Sequence, residues 1–169
     1  MRPDAATKTA TTTKCTIFKG DQSSIPFLEH FKQQTGGNFD VVIDDGSHVP
    51  EHQVISFEAL WPSVKPGGIY VVEDVETSWW KPSAKVYGYP LTSQLNVVTK
   101  WKAVIDSMNR EFTNGRSTLT DTQPHIYGNV VSVEFGQNLI IFRKALKGEE
   151  RFLGKKYRFQ SNLPAVPAH

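Results

Sequence analysis

The sequence predicts an α/β fold built on a largely parallel sheet. Three observations carry that expectation. Two short continuous apolar runs, Val41-Val42-Ile43 and Ile69-Tyr70-Val71-Val72, are separated by a segment of helical periodicity. A second helical pattern follows over residues 95–112. The last apolar stretches, 130–135 and 139–143, flank Gly136-Gln137-Asn138, the signal of an antiparallel hairpin with a three-residue loop. At 169 residues the chain is long enough for one domain with a core of its own.

Each element has a local reason. Residues 1–13 are Thr-rich, lack an apolar core and read as a disordered leader, not a secretory signal. Residues 15–19 (CTIFK) form a strand candidate that ends at Gly20-Asp21. Ser23 or Ser24 caps a predicted helix from Pro26 to about Gln34, with Phe27, Leu28 and Phe31 on one face and Gly36-Gly37 as its stop. Residues 39–43 (FDVVI) predict a strand buried on both faces, as in parallel sheets. A helix over 51–64 follows, because Val54, Phe57, Leu60 or Trp61, and Val64 recur at three- and four-residue spacing. Lys65-Pro66-Gly67-Gly68 makes a turn, and residues 69–72 a second buried strand. Residues 39–74 therefore form a strand–helix–strand unit, which calls for a right-handed parallel crossover. Residues 75–93 are irregular and aromatic. In the helix over 95–112, Val98, Trp101, Ile105, Met108 and Phe112 mark the apolar face. A polar loop spans 113–125, and 146–169 reads as a loosely held tail.

Composition narrows the function. The charged fraction is 21% and the apolar fraction 38%, which is globular and not disordered. Nineteen basic against 17 acidic residues leave a formal charge of +2. The one basic cluster, KALKGEERFLGKKYR, is interrupted by Glu149 and Glu150, so no nucleic-acid stripe is expected. No run approaches the roughly 18 apolar residues of a membrane helix. Cys15 is the only cysteine, so neither an internal disulfide nor an all-cysteine zinc site can form. These features fit a cytoplasmic, reducing setting with no membrane partner.

Ligands of open α/β sheets bind outside the carboxyl ends of parallel strands. Both strands of the crossover unit end in acids, Asp44-Asp45 and Glu73-Asp74, with His48 three residues beyond Asp45. The returning helix brings the two ends to one sheet edge, so four carboxylates are expected to converge there. Two like charges about 5 Å apart repel by about 3 kcal/mol at an effective dielectric near 20. Such a group calls for a cation or raised pKa values, and all-oxygen ligands favour Mg²⁺, Mn²⁺ or Ca²⁺. Capping or loop-turning by individual acids is the competing reading. A neutral His48 beside that ion could take a proton from an acceptor hydroxyl, or be an idle loop histidine.

The segments FDVVIDDGSH and KPGGIYVVEDVETSWW resemble the second half of class I S-adenosylmethionine-dependent methyltransferases. More narrowly, they resemble the metal-dependent macrolide sugar O-methyltransferases of the mycinamicin type. GDQSS at 20–24 resembles that family's GDQSD, which lies by the adenine, and VVSVEFGQNLIIFRKA its closing hairpin. The resemblance covers residues 15–145 and implies a partial Rossmann-like sheet, with strands 3, 4, 5, 7 and 6 present within a domain over 14–145. Strands 1 and 2, and the glycine-rich cofactor turn between them, are not found. The chain thus reads as N-terminally truncated, with an apolar edge at 39–43 that a second copy or a missing N-terminal segment would complete.

The resemblance further implies O-methylation of a sugar, polyketide or similar small-molecule hydroxyl, with S-adenosylmethionine and Mg²⁺ or Mn²⁺ as cofactors. Asp45, Glu73 and Asp74 match the metal ligands and His48 the general base. Asp21, Gln22 and Asp44 match cofactor-contacting positions. Trp79 and Trp80 border the acceptor, where aromatic faces suit sugar rings. The alternative is an inactive methyltransferase remnant that binds metal or a partner chain without catalysis.

Overall fold

The computed structural model describes residues 15–80, 96–109 and 124–148. The expected leader, most of the expected tail, Phe112 and nearly all of the 113–125 loop lie outside them. The described residues form a four-stranded sheet with helices on one face. Its strands are β1 (Phe39–Asp44), β2 (Val64–Glu73), β3 (Val130–Gly136) and β4 (Leu139–Lys144), in spatial order β1-β2-β4-β3. β1 and β2 run parallel, whereas β4 is antiparallel to both neighbours. The helices are α1 (Ile25–Thr35), α2 (Pro50–Leu60), α3 (Val97–Lys102), α4 (Val104–Met108) and α5 (Pro124–Tyr127).

Local signals place most boundaries. Ser24 caps α1 by accepting from the Phe27 amide at 3.4 Å, and Gly36 ends it in the left-handed region at φ 73°. α2 stops at Leu60 and tightens into a 3₁₀ turn over Trp61–Ser63, because Pro62 has no amide to continue the helix. The expected turn at Lys65–Gly68 is an irregularity inside β2. The ladder steps from Val64 to Ile69 while β1 advances only from Phe39 to Val41. A side chain at Gly68 would stand 2.8 Å from the Asp40 carbonyl, so the two backbones approach too closely there for a Cβ.

Four further expectations change. Residues 15–20 form no strand: no strand among the described residues lies beside them to share a ladder, and Phe18 instead packs edge-on against Phe31 at 5.1 Å. β1 is not buried on both faces. It is the sheet's outer strand, and Val41 and Ile43 are 51% and 60% exposed. The helix expected over 95–112 is broken at Ala103, whose amide reaches back to Lys100 and Trp101. That tighter turn rotates the following residues, so Val104 is buried and Ile105 is half exposed. The closing hairpin turns through two residues, since Gly136 pairs directly with Leu139.

The core is aromatic and lies between α2, α3, α5 and the inner face of the sheet. Phe57 sits at its centre. Its ring centroid is 4.4 Å from that of Phe142, 5.0 Å from Tyr70, 5.3 Å from Trp61, 5.5 Å from Trp101 and 5.9 Å from Tyr127. Lys144 closes the lower edge. Its buried ammonium donates to the carbonyls of Trp61, Pro62 and Val64 at 2.9, 3.1 and 2.8 Å. These carbonyls follow the end of α2, where a helix leaves oxygens unpaired.

Candidate metal and cofactor site

Parallel pairing sets Asp44 opposite Val72, so the carboxyl ends of β1 and β2 lie side by side. The four acids there do not all converge. Asp44 and Glu73 are the last residues of β1 and β2, whereas Asp45 and Asp74 follow the strand ends, Asp74 at φ 53°, so each pair of neighbouring acids straddles a strand end. Asp44 turns inward beneath α2. Its carboxylate accepts from Gln22 Nε2 at 2.9 Å, from Ser56 Oγ at 2.5 Å and from the Tyr70 hydroxyl at 3.3 Å. Burial nevertheless holds the Asp44 carboxyl above its ordinary range, against the opposing pull of these donors. Burial is also the main reason that the Tyr70 hydroxyl titrates well above its usual value, with the charge of Asp44 second.

Asp45, His48 and Asp74 do converge. One ligand atom from each lies within 4.8 Å of the others. His48 Nε2 is 3.3 Å from Asp74 Oδ2 and 3.9 Å from Asp45 Oδ1. Backbone corners make this possible: His48 and Asp74 both occupy the left-handed region, at φ 56° and 53°. Such residues persist where the surroundings over-determine them. The Ser47 amide, next to His48, is held by Gln22 Oε1. Asp74 is held by Asn138, which donates from Nδ2 to Asp74 Oδ1 at 2.7 Å. Glu73 stands outside the three-residue group. Its carbonyl accepts from the fully buried Gln53 at 2.8 Å.

The donor set fits a hard divalent cation: two carboxylates with an imidazole beside them, half open to solvent. A cavity of about 260 Å³ adjoins it. Gln22, Asp44, Asp45, Gly46, Ser56 and Tyr70 are among its walls, so one loop serves both cavity and cluster. Asp21 is exposed and folded onto its own loop, where Oδ1 accepts from the Ser23 amide and hydroxyl at 2.8 and 2.7 Å. Those bonds hold its carboxyl below the usual value. Trp79 and Trp80 close the 3₁₀ turn that follows Asp74, and each is 49% exposed. Sequence patterning did not mark Asn138, Gln53 or Ser56. Asn138 carried only a turn signal, and the other two lie on a helix whose period reports burial alone.

No family model matches the chain. It is 37% identical to demethylmacrocin O-methyltransferase of Streptomyces fradiae over 132 residues, which is 74% of this chain and 33% of that protein. It is 35% identical to mycinamicin VI 2''-O-methyltransferase of Micromonospora griseorubida over 127 residues, covering 71% and 31% of the two chains. Among solved structures it resembles the MycE methyltransferase of the mycinamycin biosynthetic pathway in complex with Mg and SAH. The TM-score is 0.64 and the identity 31%, over 76% of this chain and 32% of that one. The chain therefore spans about a third of the length of the relatives it matches.

Proposed function

This chain is homologous to macrolide and sugar O-methyltransferases, and on that premise we propose that it serves methyl transfer from S-adenosylmethionine to a small-molecule hydroxyl with the help of a divalent metal. The observation that carries this reading is the Asp45–His48–Asp74 cluster at the carboxyl ends of two parallel strands. Bound S-adenosylmethionine supplies the methyl group, and a bound Mg²⁺ or Mn²⁺ supplies positive charge that favours the ionised acceptor oxygen.

The chain's own residues do the rest. Asp45 and Asp74 hold the cation, with Glu73 as a third carboxylate that the resemblance adds. His48 faces the cluster through Nε2 and accepts the hydroxyl proton there, which requires the ring's own proton to sit on Nδ1. Gln22, Asp44 and the cavity beside them receive the adenine side of the cofactor, with Asp21 on the same loop. Trp79 and Trp80 offer exposed ring faces to a sugar or polyketide acceptor. Convergence of Asp45, His48 and Asp74 supports catalysis over an inactive remnant. Among the described residues no helix is long and apolar enough to cross a membrane. The exposed edge of β1 supports self-association or pairing with a further segment.

Titration calorimetry of the full chain with Mg²⁺ and with S-adenosylmethionine tests the reading. Metal binding that is lost in Asp45→Ala and Asp74→Ala, together with cofactor binding, is the expected result. Metal binding alone would favour the remnant; an unmoved baseline with both would end the proposal.

A further inference from the structure

We infer that Asn138, at the tip of the β3–β4 hairpin, is a positioning residue that sets the rotation of the Asp74 carboxylate for metal binding. The inference rests on the metal reading above and adds a residue from a distant part of the chain.

Asn138 makes three bonds to the corner that carries Asp74. Its Nδ2 donates to Asp74 Oδ1 at 2.7 Å, its Oδ1 accepts from the Glu76 amide at 3.0 Å, and its carbonyl accepts from the Val75 amide at 3.4 Å. The orientation of the amide is fixed by its partners. A backbone N–H can only be met by the oxygen and a carboxylate only by the NH₂. The two oxygens of Asp74 are thereby given separate tasks. Oδ1 is held by Asn138, and Oδ2 faces His48 Nε2 at 3.3 Å.

Without that anchor, a carboxylate on a left-handed corner would be free to turn about its side-chain bonds. Asn138 itself has φ 63°, a conformation that asparagine tolerates better than most residues and glycine tolerates fully. Both its backbone and its side chain thus suit this position. Groups that hold a metal's ligands in place typically contribute 10–100-fold in metal affinity.

Mn²⁺ titration followed by electron paramagnetic resonance tests this in the full chain. Asn138→Gly keeps the turn conformation and removes only the amide. Asn138→Ser, too short to reach Asp74, serves if the glycine variant does not fold. The expected result is Mn²⁺ affinity lowered by about 10-fold or more. Phe135→Ala, in the same hairpin but party to none of these bonds, is expected to keep the parent's affinity within about twofold, since it disturbs no ligand anchor. The lifetime of bound Tb³⁺ luminescence is expected to shorten in the Asn138 variants, as water replaces a disordered carboxylate. Parent-like Mn²⁺ affinity in a folded Asn138 variant would overturn the inference. An equal loss in Phe135→Ala would overturn it too, by showing that any loosening of the hairpin suffices. No Mn²⁺ binding by the parent would instead overturn the metal reading, and this inference with it.

Discussion

His48 and Asp44 sit four residues apart and have opposite fates. His48 is turned outward by a left-handed backbone, with Nε2 toward two carboxylates. A hydroxyl is a weak nucleophile until its proton is taken, and a positioned base contributes about 10²–10⁴-fold. His48→Ala is therefore expected to lower turnover by about that factor in an active assembly containing this chain, with Mg²⁺ affinity nearly unchanged. Turnover close to the parent's would remove His48 from the mechanism, and lost Mg²⁺ binding would make it a ligand. Asp44 points inward and carries a pH dependence. Its carboxyl is raised above the ordinary value of 3.8, chiefly by burial. The folded chain thus binds this proton more tightly than the unfolded chain does. The associated stability is complete below the ordinary value and is lost as the pH rises through the higher, folded one. On acidification through that window, the melting midpoint of the parent is expected to gain on that of Asp44→Asn. A gap that stays constant across the acidic range would show that the carboxyl titrates as in the unfolded chain.

At the scale of elements, the parallel pair β1–β2 needs its returning helix to end cleanly, and Lys144 of β4 provides that end. Three carbonyls after α2 share its ammonium in a buried setting. Lys144→Met keeps an apolar stem but leaves these oxygens without their donor and removes the ammonium that stands 5.4 Å from the centre of the Trp61 ring. The expected cost is about 2–3 kcal/mol. For a chain of this size that corresponds to a fall of roughly 4–12 °C in melting midpoint. A midpoint within about one degree of the parent's would mean that water replaces the ammonium without loss.

For the whole molecule, the sheet is covered on one face only among the described residues. Tyr70, Val72, Ile140 and Phe142 point into the aromatic core, whereas Val41 and Ile43 of the outer strand stay half exposed or more. An outer strand with unpaired backbone groups and apolar side chains is a template for pairing. Sedimentation is expected to show association that grows with concentration, and Val41→Lys to shift it toward the monomer. A monomer at every concentration in the parent would contradict this.

The sequence by itself determined the crossover unit, the capping of α1 by one of Ser23 and Ser24 and its stop at Gly36-Gly37, the closing hairpin and the sheet edge at which acids collect. These follow from period, capping chemistry and strand ends, all of which act over a few residues. Only the tertiary structure decided which acids meet. Asp44 and Asp45 are adjacent in sequence but part company where β1 ends: Asp44, its last residue, is buried against Ser56 of α2, whereas Asp45, beyond the strand, is exposed. Asp74 joins Asp45 and His48 because its backbone leaves β2 through a left-handed corner, and that corner is held by a hairpin tip 64 residues further along. In the same way, the tight turn at Ala103 exchanged Val104 for Ile105 in the core. Periodicity reports a side chain's direction along one regular element. Where an element ends or breaks, direction depends on backbone angles fixed by distant contacts, and these were settled only when the chain folded.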